Sequence, residues 1–235
     1  KMLNLGFKEE VDRILALLPR ARQNLLFSAT LSDDLSLIQQ VVLRDPVVIN
    51  ISDDVNPSEN TVVAGDGAEQ EELIHQLGYF VSDERKGPLL RYLIKHHDLQ
   101  QVLVFASSTH KVDGIVDKLL KNKIDAAAIH AKKSQQFRRD MLKEFKAGEL
   151  RVLVATDLLS RGIDIEHLPC VINYELPRSP KDYIHRIGRT GRADSPGDAI
   201  SLVTPDERQH FRVIQKKMGK RVSMVDSQDI NLHGY

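Results

Sequence analysis

The sequence predicts an open, mostly parallel α/β sheet, and three observations predict it. Short apolar runs recur along the second part of the chain. Between them, apolar residues repeat at the three-to-four spacing of a helix with one buried face. Polar clusters stand at the ends of those runs. Alternation of strand and helix of this kind forms a parallel sheet, and ligands of such sheets sit at the carboxyl ends of the strands.

Taken in order, Phe7, Val11, Ile14, Leu15 and Leu18 share one helical face, and Pro19 ends that helix. Asn24 to Phe27 reads as a short strand. Leu35, Ile38, Val41 and Val42 mark a second helix that stops before Pro46, and Val47 to Ile51 is another strand. Residues 1–51 are too few for a core of their own and read as the end of a domain. From Ile51 to Glu84 nine acidic residues follow without a Lys or Arg, together with Pro57, Gly65 and Gly67. Residues 52–74 therefore read as an acidic linker or solvated loop. The second domain spans 75–205. Its strands are Leu77–Val81, Val102–Ala106, Asp125–His130, Val152–Thr156, Val171–Tyr174 and Ala199–Val203. Several are continuous apolar runs, as befits strands covered on both faces. Val112, Ile115, Val116 and Leu119 give one helix between strands, Phe137, Met141 and Phe145 another. A third runs from Pro180 to Ile187 with proline in its first turn. Residues 206–235 form a C-terminal helix and tail.

Composition removes several functions. Lys plus Arg and Asp plus Glu are 33 each in 235 residues, so a uniformly basic coat is excluded. The hydrophobic share of 41% supports a buried core. A single cysteine rules out a disulfide framework; Cys170, in an apolar run, reads as a small buried residue without a redox role. No apolar run is long enough to span a membrane, and Lys1 to Asn4 carries no signal-peptide pattern. The expectation is a protein of the cytoplasm.

The basic residues cluster. Lys132, Lys133, Arg138, Arg139, Lys143 and Lys146 surround one predicted helix, Arg208 to Arg221 holds six more, and Arg186, Arg189 and Arg192 form a third group. In His185-Arg186-Ile187-Gly188-Arg189-Thr190-Gly191-Arg192, Arg189 and Arg192 stand three apart, and one helical turn aims both the same way. Two guanidinium forks directed at one spot suit a polyphosphate; three arginines alone are also compatible with a solvated cluster.

The whole octapeptide resembles motif six of the DEAD-box RNA helicases of the second helicase superfamily. Other elements resemble that family in order and spacing. Ser28-Ala29-Thr30 is similar to motif three. Val104-Phe105 with Ser107-Ser108 stands where motif four belongs. Gln135 and Arg138 are similar to the Gln-x-x-Arg element, and Ala155-Thr156-Asp157 with Arg161 to Ile165 resembles motif five. The resemblance implies a RecA-like second domain, preceded by part of a first RecA-like domain. The first domain's Gly-x-x-x-x-Gly-Lys-Thr loop and Asp-Glu-Ala-Asp box do not occur in these residues. Lys1 to Gly6 resembles the stretch just after that box, so the chain is expected to begin there. The wording of Gln23 to Asp34 is closer to bacterial members.

The resemblance also implies roles. Arg189 and Arg192 would be arginine fingers on the γ-phosphate of ATP. Asp164 would bind the nucleotide ribose, supported by Arg161. His185 and Ser28, Ala29 and Thr30 would couple nucleotide state to RNA grip. Ser107, Ser108, Gln135, Arg138, Thr156 and Asp157 would hold the RNA backbone without reading sequence. The cofactors of the whole enzyme would be ATP and Mg2+, with the magnesium ligands absent from this chain. The partners would be RNA, the first RecA-like domain and protein cofactors. Taken singly, Thr156 also suits a strand end, Asp157 a helix N-cap and Asp164 a turn cap. Gln135 and Arg138 suit an ordinary helix surface, and His130 a structural role. Ala131 replaces the family's usual glycine, Leu158 and Leu159 replace small residues, and Ser107 to Thr109 replace a basic residue. The expected function is the C-terminal part of an ATP-dependent RNA helicase that remodels RNA by cleft closure, inactive as an ATPase by itself. A stand-alone RNA-binding or protein-interaction module and a DNA helicase are the alternatives.

Overall fold

A computed structural model describes residues 8–19, 21–25, 47, 73–157, 165, 167–191 and 196–235. The chain divides into two units, 1–60 and 61–235. In the first, helix α1 spans Lys8–Leu17, followed by Pro19. Of the expected strands of this part, Asn24, Leu25 and Val47 are described and carry no strand pairing; the rest of those strands, the second helix and the linker up to residue 72 lie outside the described residues.

The second unit is built on one seven-stranded sheet of order β3-β4-β2-β5-β6-β1-β7. The strands are β1 (Ile74–Phe80), β2 (Val102–Phe105), β3 (Ala126–Ile129), β4 (Val152–Ala155), β5 (Cys170–Asn173), β6 (Gly197–Val203) and β7 (Ser223–Asp226). Every pairing is parallel. The six expected strands are all present, and every residue of β2 to β5 is buried. Their side chains divide by the period of two. Val102, Val104, Val152, Val154 and Ile172 enter one core, while Leu103, Phe105, Leu153, Ala155 and Val171 enter another.

Helices cover both faces. Helices α2 (Asp83–His96) and α3 (Thr109–Lys121) pack on the first core through residues such as Leu89, Leu93, Val112 and Leu119. On the other face, α4 (Gln135–Lys146) seals the second core with Phe145. There α5 (Pro180–Ile187) and α6 (Arg208–Met218) build a third core with Tyr183, Ile187, Phe211 and Ile214. Serine caps set three of these starts. The hydroxyls of Ser108, Ser134 and Ser179 accept from the N–H groups of Lys111, Phe137 and Asp182 at 3.3, 3.2 and 3.1 Å.

Three features depart from the sequence-based expectation. Asp83 and Glu84, the end of the acidic stretch, are the first turn of α2, where negative charge meets the positive end of the helix dipole. Strand β7 extends the sheet beyond β1. The tail after it is anchored: Arg85 donates to the carbonyls of Ser227 and Ile230 at 2.8 and 3.0 Å, and Tyr235 meets the ring of Tyr92 edge-on. Finally, α5 ends at Ile187, so Arg189 does not stand on a helical turn. Gly188 caps the helix, and Gly191 turns the chain at φ +66°. A Cβ at Gly191 would lie 2.6 Å from Ile74 and 3.0 Å from the Leu73 carbonyl oxygen, so only glycine fits there.

Candidate functional site

Strand order reverses around β2, with β4 and β3 on one side and β5 and β6 on the other. A crevice at the carboxyl ends of β2, β4 and β5 is the expected ligand position. Ser107, Thr156 and Glu175 follow those three strands closely.

Arg186 organises this edge. Among the described residues it is the largest fully buried side chain, 1% exposed. Its Nε and one terminal nitrogen donate to Asp157 Oδ1 and Oδ2 at 2.6 and 2.8 Å, a two-pronged pair. The other terminal nitrogen donates to Asn173 Oδ1 at 2.9 Å and to the Glu175 carbonyl at 2.6 Å. The guanidinium lies 4.9 Å from the centre of the Phe105 ring. One side chain of α5 thereby ties the ends of β2, β4 and β5 together. The sequence carried a signal for this. Tyr183, Arg186 and Ile187 follow the helical spacing of one buried face, which makes Arg186 an arginine on an apolar stripe.

The other expected site residues divide. Asp157, expected at RNA, has both carboxylate oxygens engaged by Arg186. Thr156 beside it is half-buried at the end of β4. Ser108 caps α3. The Ser107 hydroxyl and N–H donate to Glu175 Oε2 at 2.6 and 2.7 Å, and Lys111 donates to the other carboxylate oxygen. Gln135 is exposed in the first turn of α4, with Arg138 half-buried behind it. His130 is 2% exposed and faces both Asp113 oxygens through Nε2 at 3.0 and 3.1 Å. A carboxylate only accepts, so Nε2 carries the proton. Nδ1 is left buried without a partner among the described residues. His130 together with Lys133, 2.9 Å away, holds the Asp113 carboxyl below its ordinary range.

Burial pushes the Glu175 carboxyl up, but donation from Lys111 and Ser107 outweighs it and leaves the group below its ordinary 4.5. A carboxylate lowered by folding stabilises the fold above its unfolded value and loses that contribution as pH falls through its folded value. Stability is therefore expected to fall on acidification below about pH 4.5. Glu175→Gln should flatten this limb in thermal melts across pH; an unchanged limb would refute the assignment.

His185 is exposed on α5, and Arg189 is half-buried just beyond it. The backbone of Arg189 is fixed: its N–H donates to the Arg186 carbonyl at 3.2 Å, and its carbonyl accepts from Leu168 N–H at 3.0 Å. The next residue, Thr190, is fully buried and donates its hydroxyl to the Leu168 carbonyl. Arg192, Arg161, Asp164, Ser28, Ala29 and Thr30 lie outside the described residues. Among the described residues, no three His, Cys, Asp or Glu gather as a metal ion would need. A planar cation on a fixed loop fits a phosphate; a carboxylate set for magnesium is not among them.

Comparison with known proteins shows the family and the fold. Residues 85–194 match the family described as helicase conserved C-terminal domain. The chain is 36% identical to the ATP-dependent RNA helicase RhlB of Pseudomonas syringae over 95% of its own length and 53% of RhlB. Among solved structures, it superposes on the Escherichia coli DEAD-box protein SrmB, crystallised bound to regulator of ribonuclease activity A. That match has a TM-score of 0.62 and 33% identity, over 65% of this chain and 90% of that one. It also superposes on Saccharomyces cerevisiae Dbp5 bound to RNA and ADP BeF3, with a TM-score of 0.74 and 27% identity, over 95% of this chain and 56% of that one. The chain spans about half the length of the curated relatives it matches.

Proposed function

This chain belongs to the DEAD-box RNA helicases, and from that premise we propose that it supplies the second half of an ATP-driven RNA-remodelling site. Arg189 and Arg192 act as arginine fingers on the γ-phosphate of ATP held mainly by a first RecA-like domain. Arg161 and Asp164 meet the ribose. When bound, ATP with Mg2+ supplies the cleavable phosphate and most of the charge to be stabilised, with magnesium held outside the described residues. Ser107, Ser108, Gln135, Arg138 and Thr156 present RNA with hydroxyl, amide and guanidinium donors at the carboxyl edge. Contacts of this type position a backbone without reading its sequence.

The observation that carries the reading is the Arg186 network. It links α5, which bears His185 and leads into Arg189, to Asp157 beside Thr156 and to Glu175, which holds Ser107. A shift of α5 toward nucleotide therefore moves residues on both strands that face RNA. His185, with Ser28, Ala29 and Thr30, couples the same motion to the first domain. Closure of the cleft by ATP and RNA together is a population shift that both ligands bias. That Dbp5 was solved with RNA and ADP BeF3, and SrmB with a regulator protein, supports RNA and protein cofactors as partners here. The described residues contain no helix long and apolar enough to cross a membrane.

Two measurements test this. The purified chain is expected to bind single-stranded RNA in preference to DNA of the same sequence, without ATP turnover. The full-length protein is expected to release phosphate from ATP only when RNA is present. Equal binding of RNA and DNA, or turnover independent of RNA, would remove the proposal.

A further inference from the structure

We propose that the groove between α2 and α3 is a docking site for a partner protein, taking a peptide segment in which an acidic residue stands beside an apolar one. The groove encloses about 390 Å³, within the usual range for binding clefts.

Two glycines make it. Gly87 lies within α2 and Gly114 within α3, and both line the groove. Glycine inside a helix costs roughly 0.5–1 kcal/mol relative to alanine. Packing does not require either one. A Cβ at Gly114 would have nothing within 4 Å, and one at Gly87 would meet only Arg91 at 3.4 Å and the Tyr174 hydroxyl at 4.0 Å. Both helices thus carry a locally unfavourable residue whose effect is to keep the space between them open.

The lining defines the occupant. Leu90, Ile115 and Leu119 form an apolar floor. Arg91 on α2 and Lys118 on α3 line the groove, each two turns along its helix from the carboxyl edge. No carboxylate pairs with either among the described residues. The Arg91 Nε is buried without an acceptor there, and burial pulls its guanidinium below its ordinary range. A half-buried guanidinium with its Nε unsatisfied, beside apolar surface, favours a carboxylate attached to an apolar body. Nucleic acid fits less well. Asp83 stands at the carboxyl-edge end beside Glu175, whose charge Lys111 already offsets, so a phosphate backbone laid along the groove would approach the Asp83 carboxylate. An acidic side chain entering at the Arg91 and Lys118 end would not pass them. From His110 to Lys118 the wall runs about 12 Å, room for two turns of helix or a few extended residues.

The inference rests on the groove alone and stands apart from the RNA reading. Its test is to pan phage-displayed random dodecapeptides against the 235-residue chain and to measure the selected peptides on three variants. Gly114→Gln fills the groove and improves helix propensity, so its melting temperature should equal or exceed that of the parent. Gly114→Ala controls for the helix, and Arg91→Gln removes the charge. The expected result is peptides that pair Asp or Glu with a large apolar residue. They should lose at least tenfold in affinity on Gly114→Gln and on Arg91→Gln and change less than twofold on Gly114→Ala. Binding of labelled oligouridylate should be unchanged in all three. No enriched peptide, peptides without an acidic residue, or peptides indifferent to Gly114→Gln would overturn the proposal. So would a tenfold loss of oligouridylate binding on Gly114→Gln, which would make the groove a nucleic-acid surface.

Discussion

Replacing Arg189 by alanine in the full-length protein is expected to cut the proposed RNA-stimulated ATP turnover by on the order of 10³-fold or more, the effect of an arginine finger in phosphoryl transfer. A finger contributes because it is already in place when charge develops, so nothing need reorganise at that moment. The fold holds the backbone of Arg189 in one place. Leu168 holds both Arg189 and Thr190 through its N–H and carbonyl, and Gly191 follows in a turn that admits no side chain. The side chain itself remains half-exposed, so its loss leaves no cavity. Melting temperature and RNA affinity should therefore stay near those of the parent while turnover collapses. Lysine at 189 should restore only a small part, since it offers a point charge in place of a planar fork. Turnover within tenfold of the parent, measured by phosphate release with saturating RNA, would remove the finger assignment.

The second large effect concerns stability. Asp157→Ala is expected to cost about 3–5 kcal/mol, the range for breaking a buried ion pair by removing one partner. In a domain of this size that lowers the melting temperature by on the order of 10 °C. The asymmetry of the pair decides which variant suffers more. Arg186 is 1% exposed and Asp157 36%. Removing the carboxylate strands a guanidinium that water cannot reach, with only Asn173 and the Glu175 carbonyl left to it. Removing the guanidinium leaves a carboxylate that can turn to solvent. Arg186→Met, which keeps the volume, should cost less, about 1–3 kcal/mol, chiefly for the orphaned Asn173 oxygen. Urea unfolding of both variants checks the order; Asp157→Ala within about 1 kcal/mol of the parent would contradict it.

The strands were legible because burial on both faces writes itself as unbroken apolar runs, as in Val102 to Phe105 and Val152 to Ala155. Helix α5 was legible, with Pro180 opening it after the Ser179 cap and Gly188 closing it. Helix α2 was not. Its acidic start completes an acidic stretch, and Gly87 and Pro88 are poor helix formers, yet the fold accepts one missing N–H and uses the glycine's space. Strand β7 is four residues with no alternation to show, and its pairing to β1 is a tertiary matter. At the site, the sequence shows polar and basic residue types but not their partners. Three arginines within seven residues look alike in sequence. The fold buries Arg186 among acceptors and sets Arg189 on a fixed loop outside the helix. Likewise Ser107 reads as a phosphate donor, and only the approach of β5 to β2 shows that Glu175 engages it.

The position of β1 has a consequence for how the sheet comes into being. Both of its neighbours, β6 and β7, are the last strands in chain order. His75 meets Asp198 across 123 residues, and Ser227 reaches back 147 residues to Phe80. Contacts of such long range close late and slowly, because the chain entropy of the intervening loop opposes them. During synthesis β1 leaves the ribosome first among the seven strands and must wait, with both edges bare, until β6 has been made, and with one edge bare until β7 follows. The nascent chain therefore carries an unpaired apolar strand through most of its translation. That is the interval in which a chaperone, or a wrong neighbour, has its chance to bind.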